Sequence, residues 1–535
     1  MRRIIGAGVS LTVLAICSAG AAEAQLACES LKGLQLPDVK ITDAVASSAT
    51  PATAPAARPE GIGRDVSSPQ AAPAAGGAAA SRAPAVPMCT VDGVIGREIK
   101  FRLQMPDAWN GKFAMGGQGN IAGSVSNMAA QQYQALQLGY ATAGTDTGHV
   151  ADGANPPTWA MDPFLGPERQ VNFFQASIHR VTVTSKAIVA ARYGKAPEKS
   201  YFAGCSNGGR QGLVSVQRYP DDFDAALVSA PSYNIEQLIL PRVDIGRRIF
   251  PDAKNWKTRT VDNVDREALG KAVLAKCDKA DGLEDGILSS PETCSFKAEE
   301  LACKSGQKDG CLTPKGVEAV RAIWGGVKDS KGKQLTPGFP KGGEGDNLWQ
   351  QNFTGADDLR DGAYAPNSGL LRAIDYLAYF MGRPDWNYTK PTVEELQKDL
   401  KATALSSGNG DQVDLSAFRK HGGKLLMNHG LTDATISAYS TNKYIDAVYA
   451  NDASAKNDVR YFLVPGMGHC GGGNGPQRVD WLTILDKWAT GGPAPDEINA
   501  SFATGGGARK LCAYPKKQVF KGSGDGKSPD QFECK

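Results

Sequence analysis

From Met88 onward apolar and polar positions fall into a regular rhythm. Glu98-Ile99-Lys100-Phe101-Arg102-Leu103 alternates with period two, the pattern of a half-exposed strand. Lys112–Met115 and Tyr140–Gly144 are short apolar runs that read as further strands. Val171–Tyr193 reads as a long helix stopped by Gly194. Lys199–Ala203 is the next short strand, Arg210–Tyr219 a helix, and Asp224–Ser229 a strand that ends before Pro231. Strands alternating with helices predict a mostly parallel sheet covered on both faces, so the fold class is α/β. The rhythm breaks at Ile235. It resumes with a strand at Lys424-Leu425-Leu426-Met427-Asn428 and another at Val459–Val464. The stretch between, to about Ser416, is rich in Gly, Asp, Lys and Trp, and an α/β core does not need it. It reads as an inserted lid.

Ahead of the rhythm the chain has another character. Arg2 and Arg3, an apolar run from Ile4 to Cys17 and Ala22-Glu23-Ala24 make a secretory signal with cleavage expected after Ala24. From Ala44 to Pro87 the sequence is low in complexity, rich in Ala, Pro, Ser and Gly, and reads as a surface loop. The predicted organisation is a signal at 1–24, an N-terminal segment at 25–88, core at 89–234, lid at 235–416 and core again at 417–535. No later stretch is long and apolar enough to span a bilayer. The expected location is therefore secreted or periplasmic, with no membrane attachment after signal cleavage.

Composition excludes little beyond this. The chain is 41% apolar and 21% charged, ordinary values for a globular protein. A net charge of +3, with no basic run interleaved with aromatics, argues against nucleic acid as a partner. Export makes the cysteines informative. Without Cys17, ten of the 11 remain, and an even number in an oxidising compartment suggests five bridges. Sequence alone leaves connectivity open. Proximity favours Cys277–Cys294, Cys303–Cys311 and Cys512–Cys534; Cys28 then falls to Cys89, and Cys205 to Cys470.

The candidate chemistry centres on Gly204-Cys205-Ser206-Asn207-Gly208. Set between a strand and a helix, Gly-x-Ser-x-Gly is a nucleophile elbow, with glycines where a side chain would collide with its surroundings. Asp433 follows the strand at Lys424, and His469 follows the strand at Val459. The order Ser206, Asp433, His469 is that of α/β-hydrolases. Ser206 is the expected nucleophile, His469 the base and Asp433 the group that holds the ring. His149 and His429 are the competing histidines. His149 and Asp146 precede the serine and suit a buried structural role. The oxyanion would meet the N–H of Asn207 and one from the loop Gly116–Asn120, where Gly119 is the choice. A Cys205–Cys470 bridge requires Cα atoms within about 7 Å and so would bring Ser206 and His469 together.

In the lid, Asp278, Asp281 and Asp285 recur within one turn-rich loop, with the carbonyls of Leu283 and Ile287 available beside them. Hard oxygen donors at this density suit a structural Ca²⁺; the alternative is a solvated acidic turn. Trp349, Phe353, Leu370, Leu371, Tyr376 and Phe380 are candidates for an acyl pocket or for the lid's own core. Arg360 and Arg372 are candidates to meet a free carboxylate.

The combination of Cys205-Ser206, Asp433, His469-Cys470 and the loop from Asp278 to Ile287 resembles the tannase and feruloyl esterase family, from about Cys89 to the C-terminus. The resemblance implies an α/β-hydrolase fold with a lid, a structural calcium and hydrolysis of esters of aromatic acids such as ferulate or gallate. The family also includes the hydrolase of mono(2-hydroxyethyl) terephthalate. The low-complexity segment before Cys89 departs from its pattern. The expected activity is that of an exported serine carboxylic-ester hydrolase acting on small aromatic esters through an acyl-enzyme. Rival readings are a peptidase, for which no peptide-sizing domain is seen, and a calcium-dependent binding protein with a dead site.

Overall fold

The computed structural model describes residues 25–49, 86–151, 156–357, 366–402 and 407–535. The signal segment, most of the low-complexity run and Arg360 lie outside the described residues. Nine strands form one sheet: β1 (Val39–Ala49), β2 (Val86–Ile95), β3 (Ile99–Pro106), β4 (Lys112–Gly116), β5 (Ala141–Thr145), β6 (Lys199–Cys205), β7 (Ala225–Ser229), β8 (Lys424–Gly430) and β9 (Val459–Val464). Their spatial order is β1-β2-β3-β5-β4-β6-β7-β8-β9. Pairings from β1 through β3 to β5 are antiparallel, and those from β5 through β4 to β9 are parallel. All five residues of β7 are buried, as a strand covered on both faces requires.

The ends of the low-complexity run correct the sequence reading. Residues 44–49 and 86–87 are strand rather than loop, because Ala44 to Ala49 of β1 pair antiparallel with Val91 to Val86 of β2. The short side chains that signal disorder are also tolerated on an edge ribbon once its partner supplies the hydrogen bonds. Cys28 and Cys89 are bridged beside it. The long helix is also subdivided. Gly166–Val171 leads into a π-turn, Asn172–Ala176, and then into the helix Ser177–Tyr193, closed by Gly194 at φ 72°. The elbow helix begins three residues earlier than its apolar pattern suggests, at Asn207, and runs to Arg218.

Between β7 and β8 the chain is helical, with Ile235–Ile249, Asn263–Cys277, Pro314–Gly325, Ser368–Tyr379 and Val393–Ala402 as its longer elements. Their apolar faces close over one another and take in Trp159, Phe173 and Phe174 from the core, so lid and core share one hydrophobic cluster. Bridges Cys277–Cys294 and Cys303–Cys311 sew its irregular part. After β9 come strands the sequence pattern did not reveal. They are a three-stranded sheet of β10 (Pro476–Arg478), β11 (Glu497–Phe502) and β12 (Ala508–Cys512), and a hairpin of β13 (Gln518–Phe520) with β14 (Phe532–Cys534). Cys512–Cys534 ties the hairpin to β12.

Candidate active site

Three strands end where the candidate residues begin. β6 stops at Cys205, β8 at Gly430 and β9 at Val464, so Ser206, Asp433 and His469 all lie in turns at the carboxyl edge of the parallel strands, the edge where open α/β sheets bind ligands. Ser206 has φ 63° and ψ −123°, a left-handed backbone that a non-glycine residue adopts only when its surroundings enforce it. The enforcement is visible. The Ser206 N–H donates to Ser229 O at 3.0 Å, and its carbonyl accepts from Arg210 N at 3.0 Å and Ser232 N at 3.1 Å. A Cβ on Gly204 would meet the Gly208 carbonyl at 2.7 Å, and one on Gly208 would meet Gln118 N and Met128 Sδ, each at 3.1 Å. Ser206 itself is partly exposed while Cys205 and Asn207 are buried.

Cys205 and Cys470 are bridged with Cα atoms 6.0 Å apart, which places the residues next to them, Ser206 and His469, on either side of one covalent link. His469 is 6% exposed and its Nδ1 lies 2.7 Å from Asp433 Oδ2. Asp433 is 1% exposed, yet every lone-pair direction is used. Oδ1 accepts from Thr435 N at 2.7 Å and Ile436 N at 2.9 Å. Oδ2 accepts from His469 and also faces His429 Nε2 at 3.1 Å. Burial alone would raise this carboxyl; the charge on His469 and the hydrogen bonds from both histidines overcome it and hold the group well below the carboxylate range.

The loop after β4 lies against the elbow helix. Gly117 N donates to Ala203 O at 2.9 Å, and Gln118 N to Gln211 Oε1 at 2.8 Å. Gly119 N and Asn207 N make no hydrogen bond among the described residues. The Asn207 side chain donates to Gln118 O at 3.2 Å and accepts from Arg210 Nε at 2.9 Å. Arg210, fully buried, also donates to Phe173 O, Phe174 O and Gly408 O. Sequence reasoning missed Gln211, Arg210 and Met128, whose Sδ lies 3.3 Å from Cys205 N. Their partners are remote in the chain, and no local pattern marks them.

The other histidine candidates separate cleanly. His149 is buried against Trp159, with ring centroids 3.6 Å apart, and its Nε2 bonds Ile121 O at 2.8 Å. Burial lowers it to about 4 and raises its neighbour Asp146 to about 6. Both are buried in the fold. His429, at the end of β8, is instead the second partner of Asp433. The four-residue spacing between them was the only signal in the sequence.

In the lid, Asp278 accepts from Gly286 N, Asp281 from Leu283 N and Ser289 N, and Asp285 from Ile287 N. Asp285 also pairs with the buried Arg509. Leu371 is buried, and Trp349, Leu370, Tyr376 and Phe380 are buried in the shared lid–core cluster. Phe353 belongs to it too, and with Arg242, Asn352, Asn367 and Ala434 it lines a small cavity beside the Asp433 turn. Arg372 is held against Asn120, the residue after Gly119.

A family profile described as tannase and feruloyl esterase matches residues 85–535. The chain belongs to this family. It is 31% identical to the mono(2-hydroxyethyl) terephthalate hydrolase of Piscinibacter sakaiensis, over 85% of this chain and 86% of the relative. It is 32% identical to a probable feruloyl esterase of Arthroderma benhamiae, with 82% of each chain covered. The crystal structure of feruloyl esterase B from Aspergillus oryzae superposes with a TM-score of 0.80 at 25% identity, covering 96% of this chain and 100% of the other. As a tannase and feruloyl esterase family member with an α/β-hydrolase fold, the protein is a carboxylic ester hydrolase of small-molecule esters.

Proposed function

We propose that this hydrolase is exported and cleaves esters of aromatic acids of feruloyl or galloyl type through an acyl-enzyme on Ser206. The observation that carries the reading is the 2.7 Å pairing of His469 with Asp433, joined through the Cys205–Cys470 bridge to a strained serine at the strand edge. Ser206 Oγ attacks the ester carbonyl carbon as its proton passes to His469 Nε2. The N–H groups of Asn207 and Gly119 meet the oxyanion. Collapse breaks the ester C–O bond, and the leaving alkoxide takes the proton from His469. Water then attacks the acyl-serine by the same route, returning the Ser206 hydroxyl and releasing the acid. The test is Ser206→Ala in purified protein assayed on methyl ferulate and methyl gallate. The expected outcome is loss of turnover by about three orders of magnitude or more with folding unchanged. Near-normal kcat would remove the nucleophile, and tight binding without turnover in the wild type would favour a binding protein.

A second reading is an aromatic monoester whose acyl part keeps a free carboxylate. It is supported by Arg372, a half-buried side chain against Asn120 whose Nε has no hydrogen-bond partner among the described residues. Arg372→Leu should then cost kcat/KM on a terephthalate monoester far more than on methyl ferulate.

We also propose that the loop from Asp278 to Ile287 holds a structural Ca²⁺. Among the described residues no three side chains form a ready metal cage, so the site would be of mixed donors: Asp278, Asp281 and Asp285 with the carbonyls of Leu283 and Ile287. The donors fit by type, and neither carbonyl accepts a hydrogen bond among the described residues. The ion would brace the loop and take no part in the chemistry.

A further inference from the structure

The shared oxygen of Asp433 has a consequence for the base. Oδ1 is pinned by two main-chain N–H groups, but Oδ2 is held only by two imidazoles among the described residues, His469 at 2.7 Å and His429 at 3.1 Å. His429 is completely buried, as is Thr441. His429 Nε2 faces two acceptors, Asp433 Oδ2 and the Ile436 carbonyl at 3.0 Å, so this nitrogen carries the hydrogen. In the neutral imidazole its Nδ1 is then the acceptor for the Thr441 hydroxyl at 2.9 Å. A line of hydrogen bonds therefore runs from Thr441, on the helix Ala438–Asn451, through His429 and Asp433 to His469.

We propose that His429 is a positioning residue for the proton-transfer step, holding the Asp433 carboxylate toward His469 and setting how basic His469 is. This rests on the assignment of His469 and Asp433 given above. Two effects follow from sharing one oxygen. The His429 N–H stops Oδ2 from turning away when His469 is neutral and its own pull is weakest. It also draws charge from Oδ2, so the imidazolium of His469 is stabilised less than it would be by an unshared carboxylate. Among the described residues, the other titratable groups that interact with Asp433 are Arg242, from the helix Ile235–Ile249, and Tyr461, from β9. Burial lowers Arg242 to about 9 and raises the Tyr461 phenol, so at neutral pH Arg242 is cationic and Tyr461 un-ionised.

The experiment uses the full exported chain with p-nitrophenyl acetate, reading kcat, KM and the acid limb of kcat/KM against pH. His429→Leu should lower kcat about tenfold with little change in KM, and should move the acid limb up by roughly half a pH unit. His429→Gln, which returns an amide N–H near the lost Nε2, should restore both. A folded His429→Leu with wild-type kcat and an unmoved limb would overturn the proposal. Should that variant fail to fold, Thr441→Val removes the hydroxyl at Nδ1 and leaves Asp433 intact. A smaller shift of the limb in the same direction is expected, and an unchanged profile would overturn the proposal. Asp433→Ala in the same assay separates the two levels. If it is inactive while the His429 variants are silent, only the role of His429 falls. If it is active, the assignment of His469 and Asp433 falls, and this inference with it.

Discussion

Two buried carboxyls show how a residue's partners decide its contribution. Asp433 is charged at the heart of the site because four N–H groups and an imidazole charge outweigh its burial. Its folded value lies below the unfolded 3.8, so its stabilising contribution is present above that pH and is lost as the pH falls below about 3.8. Glu344 is the opposite case. It lies in the lid, its oxygens accept from the Trp324 Nε1–H and the Gly342 N–H, and burial raises it from an ordinary 4.5 to about 7. Asp346 adds to the rise, and Lys341 lies near Glu344. A folded value above the unfolded one means that the native state holds the proton longer, so stability falls as pH rises from 4.5 to 7. Melting temperatures of wild type and Glu344→Gln between pH 4 and 8 check this. The wild type should lose stability across that window, and the variant should show a flatter profile. The competition between His469 and His429 for one carboxylate belongs to the same scale. The sequence offered both histidines, but only the tertiary structure shows that both rings reach one oxygen of the acid, His469 at 2.7 Å and His429 at 3.1 Å.

Elements matter through what their ends present. The elbow was readable because its glycines, its serine and the strand and helix on either side are contiguous in the chain. The loop after β4 was readable only as a loop. That Gly119, and not Gln118, keeps its N–H free depends on Gln211, a turn into the elbow helix, taking the Gln118 N–H. The acidic loop of the lid is contiguous too, and its aspartates were legible from spacing. Its link to the C-terminal strands through Arg509 was not, since 224 residues separate Arg509 from Asp285. If the loop holds Ca²⁺, chelation should lower the melting temperature by several degrees, and added Ca²⁺ should restore it, as binding to the native state alone requires. Elemental analysis of pure protein should find about one calcium per chain. A metal-free protein with an unchanged melting curve in chelator would remove the site.

At the scale of the whole molecule, the bridge between Cys205 and Cys470 spans 265 residues and ties the elbow to the turn that carries His469. A Cys205→Ala/Cys470→Ala pair should lower kcat on methyl ferulate by at least about tenfold and cost about 2–4 kcal/mol of stability in a denaturant series. The activity loss should come at denaturant concentrations well below global unfolding. Full activity in the double variant would show that packing alone sets the serine and histidine. The lid makes the same point about packing. Phe173 and Phe174 of the core and Phe380 of the lid lie in mutual ring contact, so Phe380, legible as a pocket candidate, joins lid to core. The alternation of core strands and helices between Ile99 and Val464, the strand-turn-helix around Ser206, the succession of Ser206, Asp433 and His469, and the acidic loop were legible in the sequence, because each is a local pattern or a simple succession along the chain. The edge ribbon made from the ends of a low-complexity run, the second histidine on Asp433 and the N–H groups of Asn207 and Gly119 left unbonded among the described residues were decided only by the tertiary structure. Each depends on which distant group claims a hydrogen bond first, and that is set by packing rather than by neighbours in sequence.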